Sequence, residues 1–392
     1  MNNFILKIKK SLAEKKFLKT ILLKLYPYFM GFFLLFSLEK KRCKLFVPSK
    51  NNFNTKDSLL IKRIFNFYKA MKDNQNNQKS SYKPSSFWQN HIDKDFYLLT
   101  KSLKDNDIDT FTDFIQNFGN RNNLGVESQN LIQKYSKNFL LKNFMEYEMF
   151  GSYLKFWEYF NQGKCNVSSL DIPRYGNQNG AFIENNFVVI GSFFADIYAK
   201  IIKNYLKKSE HNIIADLGSG YGYFDYYILK NIHEKNSLIC LDIPETLTLS
   251  AYFLSKAFPD KKIFLYGEND LLKINIKDYD LIFIPSWEIE KIEDNSIEMT
   301  INKNSLGEMD PSAAYNYINQ IHRISNYFFS MNHEFFRNKL EDDKLSLINK
   351  EYNKDEKFLE LIRYPDLHHL THLNNKVDLD MDIFFYLYKK IN

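Results

Sequence analysis

The stretch Ile213 to Tyr223, IIADLGSGYGY, constrains the fold more than any other part of the chain. An apolar run suited to a buried strand reaches Asp216, and Gly218, Gly220 and Gly222 then turn the backbone into the helix-compatible run Phe224 to Ile232. Glycines at alternate positions allow positive φ and a close approach to a ligand, where a Cβ would clash. Amides at the start of the following helix can meet polar or anionic atoms. Strand, glycine turn and helix in that order predict a parallel α/β sheet with a ligand at the carboxyl ends of its strands, although a turn that binds nothing has the same local pattern.

Spacing separates two ligand classes. Dinucleotide sites read GxGxxG and hold a pyrophosphate at the helix start, whereas this turn reads DxGxGxG, with an acid ahead of the first glycine. A carboxylate there repels a pyrophosphate and attracts the ammonium of S-adenosylmethionine. The residues expected to hold that cofactor are Asp216, Gly218, Ser219, Gly220, Tyr221 and Gly222. A second anchor is SLICLDIPETL, Ser237 to Leu247, an apolar run closing on Asp242, 24 positions beyond Gly218. An acid about 20 residues past the turn suits hydrogen bonding to two ribose hydroxyls, which adds Asp242 and its neighbour Ile243.

Beyond this anchor, Glu245 to Phe258 reads as a helix, while Lys262 to Tyr266 (KIFLY), Leu281 to Pro285 (LIFIP) and Ile297 to Asn302 (IEMTIN) read as strands. That is one strand more than the simplest sheet of this kind needs. LIFIP is assigned as strand three and IEMTIN as strand four, with KIFLY an edge strand or inserted hairpin. An adenine would lie near Ser286 and Trp287, the indole either stacking on the purine or packing against the next helix. Asn302 joins the cofactor set, and Asn304, Ser305 and Glu308 follow strand four onto the rim where an acceptor must sit. Asp310 before Pro311 suits a helix cap. Tyr327 to His333 is a fifth strand with a charged helix after it, and Phe358 to Arg363 with Ile383 to Tyr388 can form a final antiparallel pair. Their connection carries Asp366, His368 and His372. Two histidines four apart share a helix face, yet HExxH is absent and no fourth ligand is apparent, so no metal is expected; His368 is a base, a substrate contact or a plain surface residue.

The front of the chain differs in character. Ile21 to Leu38 is an 18-residue mostly apolar run flanked by lysines and interrupted by Lys24 and Pro27. It is short for a bilayer span and lacks a cleavage site, which leaves a membrane-surface anchor, a helix packed on the body, or a true span. Basic residues crowd this segment, and the net charge of +6 otherwise follows a chain-wide bias toward Lys, Asn, Ile, Phe and Tyr, so no nucleic-acid partner is expected. Cys43, Cys165 and Cys240 show no CxxC, which points to a reducing compartment. Residues 72 to 86, KDNQNNQKSSYKPSS, read as a flexible linker. Helical stretches follow at Ser86 to Ser102, Asp107 to Phe118 and Ser128 to Phe160, then a loop with a small hairpin from Leu170 to Ile190 and a helix from Phe193 to Leu206. Arg174, Tyr175 and Asn177 of the loop either reach a substrate or simply face solvent.

Taken together, IIADLGSGYGYF, LDIPETLTLSAYFL, IFIPSWEIEKI and NSLGEMD resemble the sugar O-methyltransferase family, bacterial class I S-adenosylmethionine-dependent enzymes associated with cell-surface polysaccharide synthesis. The resemblance covers about residues 85 to 334. It implies an α/β fold, a Rossmann-like, mostly parallel seven-stranded sheet with helices on both faces, preceded by a helical N-terminal domain. The expected parts are 1–50 as a basic, apolar segment, 51–90 as helix and linker, 91–192 as a helical substrate-binding cap, and 193–392 as the cofactor-binding domain. It further implies an enzyme that methylates a hydroxyl of a sugar, nucleotide-sugar or glycan acceptor for capsule or lipopolysaccharide; the cysteines place it in the cytoplasm, and residues 1–45, outside the resemblance, add a peripheral contact at the inner membrane face as one reading. An N- or lipid-head-group methyltransferase and a non-catalytic scaffold are the alternatives. Sugar hydroxyls need a base within about 3 Å, and His333, Glu308 and His368 are the candidates, with Arg174, Tyr175, Asn304 and Ser305 as acceptor contacts.

Overall fold

The computed structural model describes residue 25 and residues 43–46, 57–121, 139–208, 210–233, 235–340, 343–353, 356–368 and 382–391. The front part comprises strand β1 (Cys43–Phe46), helices α1 (Ser58–Gln75), α2 (Ser86–Lys94), α3 (Tyr97–Lys104), α4 (Ile108–Gln116) and α5 (Phe139–Phe160), and the hairpin β2 (Gly180–Ile183) and β3 (Asn186–Val188). Helix α6 (Ser192–Lys203) leads into β4 (Asn212–Leu217), α7 (Tyr223–Asn231), β5 (Asn236–Asp242), α8 (Pro244–Ala257), β6 (Ile263–Leu265) and β7 (Leu281–Pro285). Then come β8 (Ile297–Lys303), α9 (Pro311–Ile324), β9 (Ser325–His333), β10 (Phe358–Pro365) and β11 (Ile383–Lys390).

The main sheet has eight strands in the order β10-β11-β9-β8-β4-β5-β7-β6. From β6 to β9 the pairings are parallel, and β11 runs antiparallel to both β9 and β10. The expected Rossmann-like, mostly parallel sheet with a reversed final pair is the one observed. LIFIP lies beside β5 and IEMTIN beside β4, and KIFLY adds an eighth strand at the edge to the seven anticipated. Every residue of β4 is buried, because layers cover both faces of a parallel sheet, and its centre is accordingly the apolar run Ile213 to Ala215. After β5 the chain winds outward to β6 and β7, then crosses back to β8 on the other flank of β4. The reversal leaves a crevice at the carboxyl end of β4, where ligands of such sheets gather.

The front part is built onto this sheet unit. α1 packs along α8, and Tyr68 Oη and Lys72 Nζ both donate to Glu245 Oε1, at 3.1 and 2.8 Å. β1 pairs with β2 to complete a three-stranded sheet, which places part of the N-terminal segment in the body of the protein. The apolar run 21–38, read as an anchor, lies outside the described residues apart from Leu25, as do residues 128–138 of the long helix and His372. Among the described residues, no helix is long and apolar enough to cross a membrane.

Three local expectations differ from the structure. Residues 72–86 are not an extended linker: α1 continues to Gln75, and Ser80–Tyr82 forms a further helical turn. Its polar side chains pair with the sheet unit, since Lys79 Nζ and Tyr82 Oη both donate to Glu290 Oε1 at 2.8 Å. The helix expected over Ser86 to Ser102 breaks into α2 and α3, where Phe96 turns inward and is fully buried. The charged helix expected after β9 is an irregular loop, held by the two-pronged pairing of Arg337 with Glu351 and by Asn338 donating to Gly307 O.

Lys72 is the cation that compensates the fully buried Glu245 carboxylate, so Lys72→Met strands that charge in the α1–α8 seam. The expected loss is about 2–3 kcal/mol in urea denaturation, below the usual range for a broken buried pair because Lys72 keeps partial access to water and Tyr68 remains.

Candidate functional site

A cleft of about 380 Å3 opens at the carboxyl end of β4. Its floor is the glycine turn, with φ of 88°, 58° and 86° at Gly218, Gly220 and Gly222. The three glycines have different reasons to be there. A Cβ on Gly218 would come within 2.3 Å of Ser305 Oγ, and one on Gly222 within 2.9 Å of Leu254 on α8, so both serve the packing of neighbouring chain. A Cβ on Gly220 would meet nothing within 4 Å. Of the three, Gly220 is the position that opens a path to a ligand.

Acids surround this floor. Asp242 is half-buried, its Oδ2 accepting from the Gly220 amide at 2.8 Å and its Oδ1 from the Ile243 amide at 2.7 Å. Burial pushes its carboxyl up to about 6. Asp216 is buried beneath the turn, and burial, reinforced by neighbouring Asp225, raises its carboxyl well above the usual range. Asp216 Oδ1 and Ser219 Oγ are buried with no hydrogen-bond partner among the described residues, although both residues line the cleft. Polar atoms of that kind suit a polar ligand, since leaving them unpaired is costly.

The opposite wall comes from the ends of β8 and β9. Lys303 Nζ donates to Tyr223 Oη, and Asn304, Ser305 and Glu308 follow on the turn after β8. His333 ends β9 and lines the cleft, its Nδ1 2.9 Å from Oδ1 of the buried Asp382. Asp382 Oδ2 accepts from the backbone amides of Phe335 and Phe336. A carboxylate held this way can only accept from the ring, which puts the proton on Nδ1 and leaves Nε2 as the basic nitrogen.

The third wall is the front part. Tyr82, Lys83, Pro84, Ser85 and Trp88 cross the cleft as a strap. Ser85 Oγ donates to Glu308 O at 2.9 Å and Trp88 Nε1 to Glu308 Oε2 at 3.0 Å. Glu308, expected as a base, is thus also the clasp for the strap.

Most of the expected cofactor residues meet in this one cleft: Asp216, Gly218, Ser219, Gly220, Tyr221, Asp242, Ile243 and Ser286. Asn304, Ser305, Glu308 and His333 line it as well. Others do not. Trp287 is buried edge-on to Tyr266 and offers no face to an adenine, and Ser286 instead accepts from Tyr317 Oη at 2.7 Å. Asn302 is fully buried behind the wall, donating to Leu217 O at 2.7 Å, so it braces β8 against β4 and touches no ligand space. Gly222 is a packing residue. Arg174 lies over the rings of Phe46 and Phe182, Tyr175 sits under Lys256, and Asn177 is buried against Asn117, because their loop faces the small sheet and α8 rather than the cleft. His368 packs between Tyr153 and Phe194 and lines a small adjoining cavity, which shares Tyr223, Phe224, Lys303 and Asn304 with the cleft, rather than the cleft itself. No metal-binding group of three or more ligands occurs among the described residues.

Asp225, Asp382 and the strap escaped sequence reasoning. Asp382 had a readable signal: it precedes the final strand, whose antiparallel register sets Ile383 opposite His333. The strap had none, because polar residues that pair over long range look like solvated ones.

No protein-family model matches the chain, and no curated protein sequence does either. Among solved structures the fold is similar to phosphoethanolamine N-methyltransferase 2 of Haemonchus contortus, with 11% identity over 50% of this chain and 52% of that one and a TM-score of 0.33. It is also similar to the mitomycin 7-O-methyltransferase MmcR, with 9% identity over 52% and 56% of the two chains and a TM-score of 0.34. A SAM-dependent methyltransferase from Aquifex aeolicus shares 15% identity over 49% of this chain and 88% of that one, with a TM-score of 0.31. The aligned part spans about half the length of the first two proteins.

The glycine geometry yields a paired test in urea denaturation. Gly220→Ala carries only the left-handed backbone penalty of about 1–2 kcal/mol. Gly218→Ala adds a clash with Ser305 and is expected to cost about 2–3 kcal/mol more.

Proposed function

We propose that the protein is an S-adenosylmethionine-dependent methyltransferase that acts on a hydroxyl of a sugar or glycan acceptor. The observation that carries the cofactor half is the meeting of open Gly220, Asp216 and Asp242 on one cleft floor. In this reading Asp216 and the orphaned Ser219 hydroxyl face the amino-acid end of the cofactor, and Asp242 exchanges its bond to the Gly220 amide for the ribose hydroxyls. The adenine lies toward Ile243, Ser286 and Tyr82 rather than on Trp287.

The cofactor supplies an already activated methyl group, so the chain has only to orient an acceptor and take up its proton. His333 is the base. Asp382 fixes its tautomer and steadies the imidazolium formed as Nε2 accepts the acceptor's hydroxyl proton. Asn304, Asn332, Asn338 and Glu308 on the same wall, with the indole of Trp88 across from them, suit a ligand rich in hydroxyl groups. That lining favours a sugar over an apolar acceptor.

Isothermal titration with S-adenosylhomocysteine tests the cofactor half. Binding by the wild type that weakens at least a hundredfold in Gly218→Arg and about tenfold or more in Asp242→Ala is expected, each tenfold corresponding to about 1.4 kcal/mol. A wild type that does not bind removes the reading. Transfer of labelled methyl to purified surface glycan tests the other half. His333→Ala is expected to lower turnover about a hundredfold or more while leaving homocysteine-product affinity within about twofold, and Asp382→Asn to lower it less.

A further inference from the structure

Behind the glycine turn lies an acidic pair for which methyl transfer has no direct use. Asp225, in the first turn of α7, is completely buried with Asp216 of β4 as its neighbour: both adjoin Cys240, which faces Asp216 in the β4–β5 register and bonds Asp225. Cys240 Sγ of β5 donates to Asp225 Oδ2 at 3.6 Å. One oxygen of each acid, Asp216 Oδ1 and Asp225 Oδ1, has no hydrogen-bond partner among the described residues. The other ionisable groups acting on the pair are Asp242 at the end of β5 and, toward Asp216, Lys303 at the end of β8. Two carboxyl groups in contact and out of water cannot both ionise readily, and a hydrogen bond between them needs a proton. Burial accordingly raises both, Asp225 to about 7.

We propose that Asp225 is a positioning residue of the cofactor site: it shares one proton with Asp216 before the cofactor binds, and the pair gives up that proton when the ammonium of the cofactor arrives. The inference rests on the cleft being the S-adenosylmethionine site. The O–H bond of the shared proton breaks, buffer base takes the proton, and the carboxylate left on Asp216 meets the cation. The pair gains one negative charge as one positive charge enters, so the buried region keeps its net charge. Affinity should therefore climb as the pH rises until the pair is ionised, and more steeply than Asp216 and Asp242 alone would make it.

The experiment is titration of the full chain with S-adenosylhomocysteine in buffers of low and high ionisation enthalpy, from which the protons released per ligand follow. At pH 7 at least about half a proton is expected, falling as the pH rises further and the pair ionises. Asp242, which titrates at about 6, would by itself release only on the order of a tenth of a proton at pH 7. In Asp225→Asn the amide can still donate to Asp216, whose burial is unchanged, so binding is expected to persist with a release at pH 7 smaller than that of the wild type. Wild-type binding with a buffer-independent enthalpy at pH 7, or equal release from Asp225→Asn, overturns this inference and leaves the cofactor site standing. No binding in any buffer overturns both. Because the wild-type value at pH 7 already separates the pair from Asp242, the result does not depend on the variant folding.

Discussion

Everything at the ligand end of this protein depends on a carboxyl group being kept in a place where charge is expensive. Asp216 belongs to a strand buried along its whole length, and the only reasons to hold an acid there are a partner proton or a partner cation. The sheet order supplies the setting: β4 is the strand from which the chain departs in both directions, so its end is the one place where a turn, a crossing acid from β5 and a rim from β8 converge. Function at this end of the sheet is then a matter of which charges are permitted to meet there.

The same economy of position explains the other wall. Under the proposed reading His333 is the base because β11 returns antiparallel beside β9 and sets Asp382 next to it, with two backbone amides holding that carboxylate in place. A histidine at a strand end is ordinary. One whose tautomer is dictated by a buried acid, on a cleft that also presents asparagines, is a chemically prepared group.

Much of this was legible in the sequence, and the reasons are physical. Buried parallel strands are short and predominantly apolar, so IIADL, LICL, LIFIP and IEMTIN identify themselves, and their order gives the sheet. An acid that closes such a run is conspicuous, which is why Asp216 and Asp242 were found. What local pattern cannot carry is the partner across the fold. Three glycines look alike in a string, yet two are small because Ser305 and Leu254 stand over them and one because nothing does. Trp287 follows a strand end as an adenine-stacking residue would, but Tyr266 already covers it. Residues 72–86 have the composition of a linker because a lysine or tyrosine bound to Glu290 is indistinguishable, in sequence, from one bound to water.

The strap has a consequence for how this architecture can be taken apart. Its residues stand ahead of the sheet unit by more than a hundred positions, yet they form one side of the ligand space and clasp Glu308 from the far side. The sheet unit by itself would be a vessel with one side missing, and Glu245 would lose its Lys72 and Tyr68 partners. Drift in the front segment alone can thus reshape the ligand space, without a single replacement on the glycine turn or at the ends of β8 and β9.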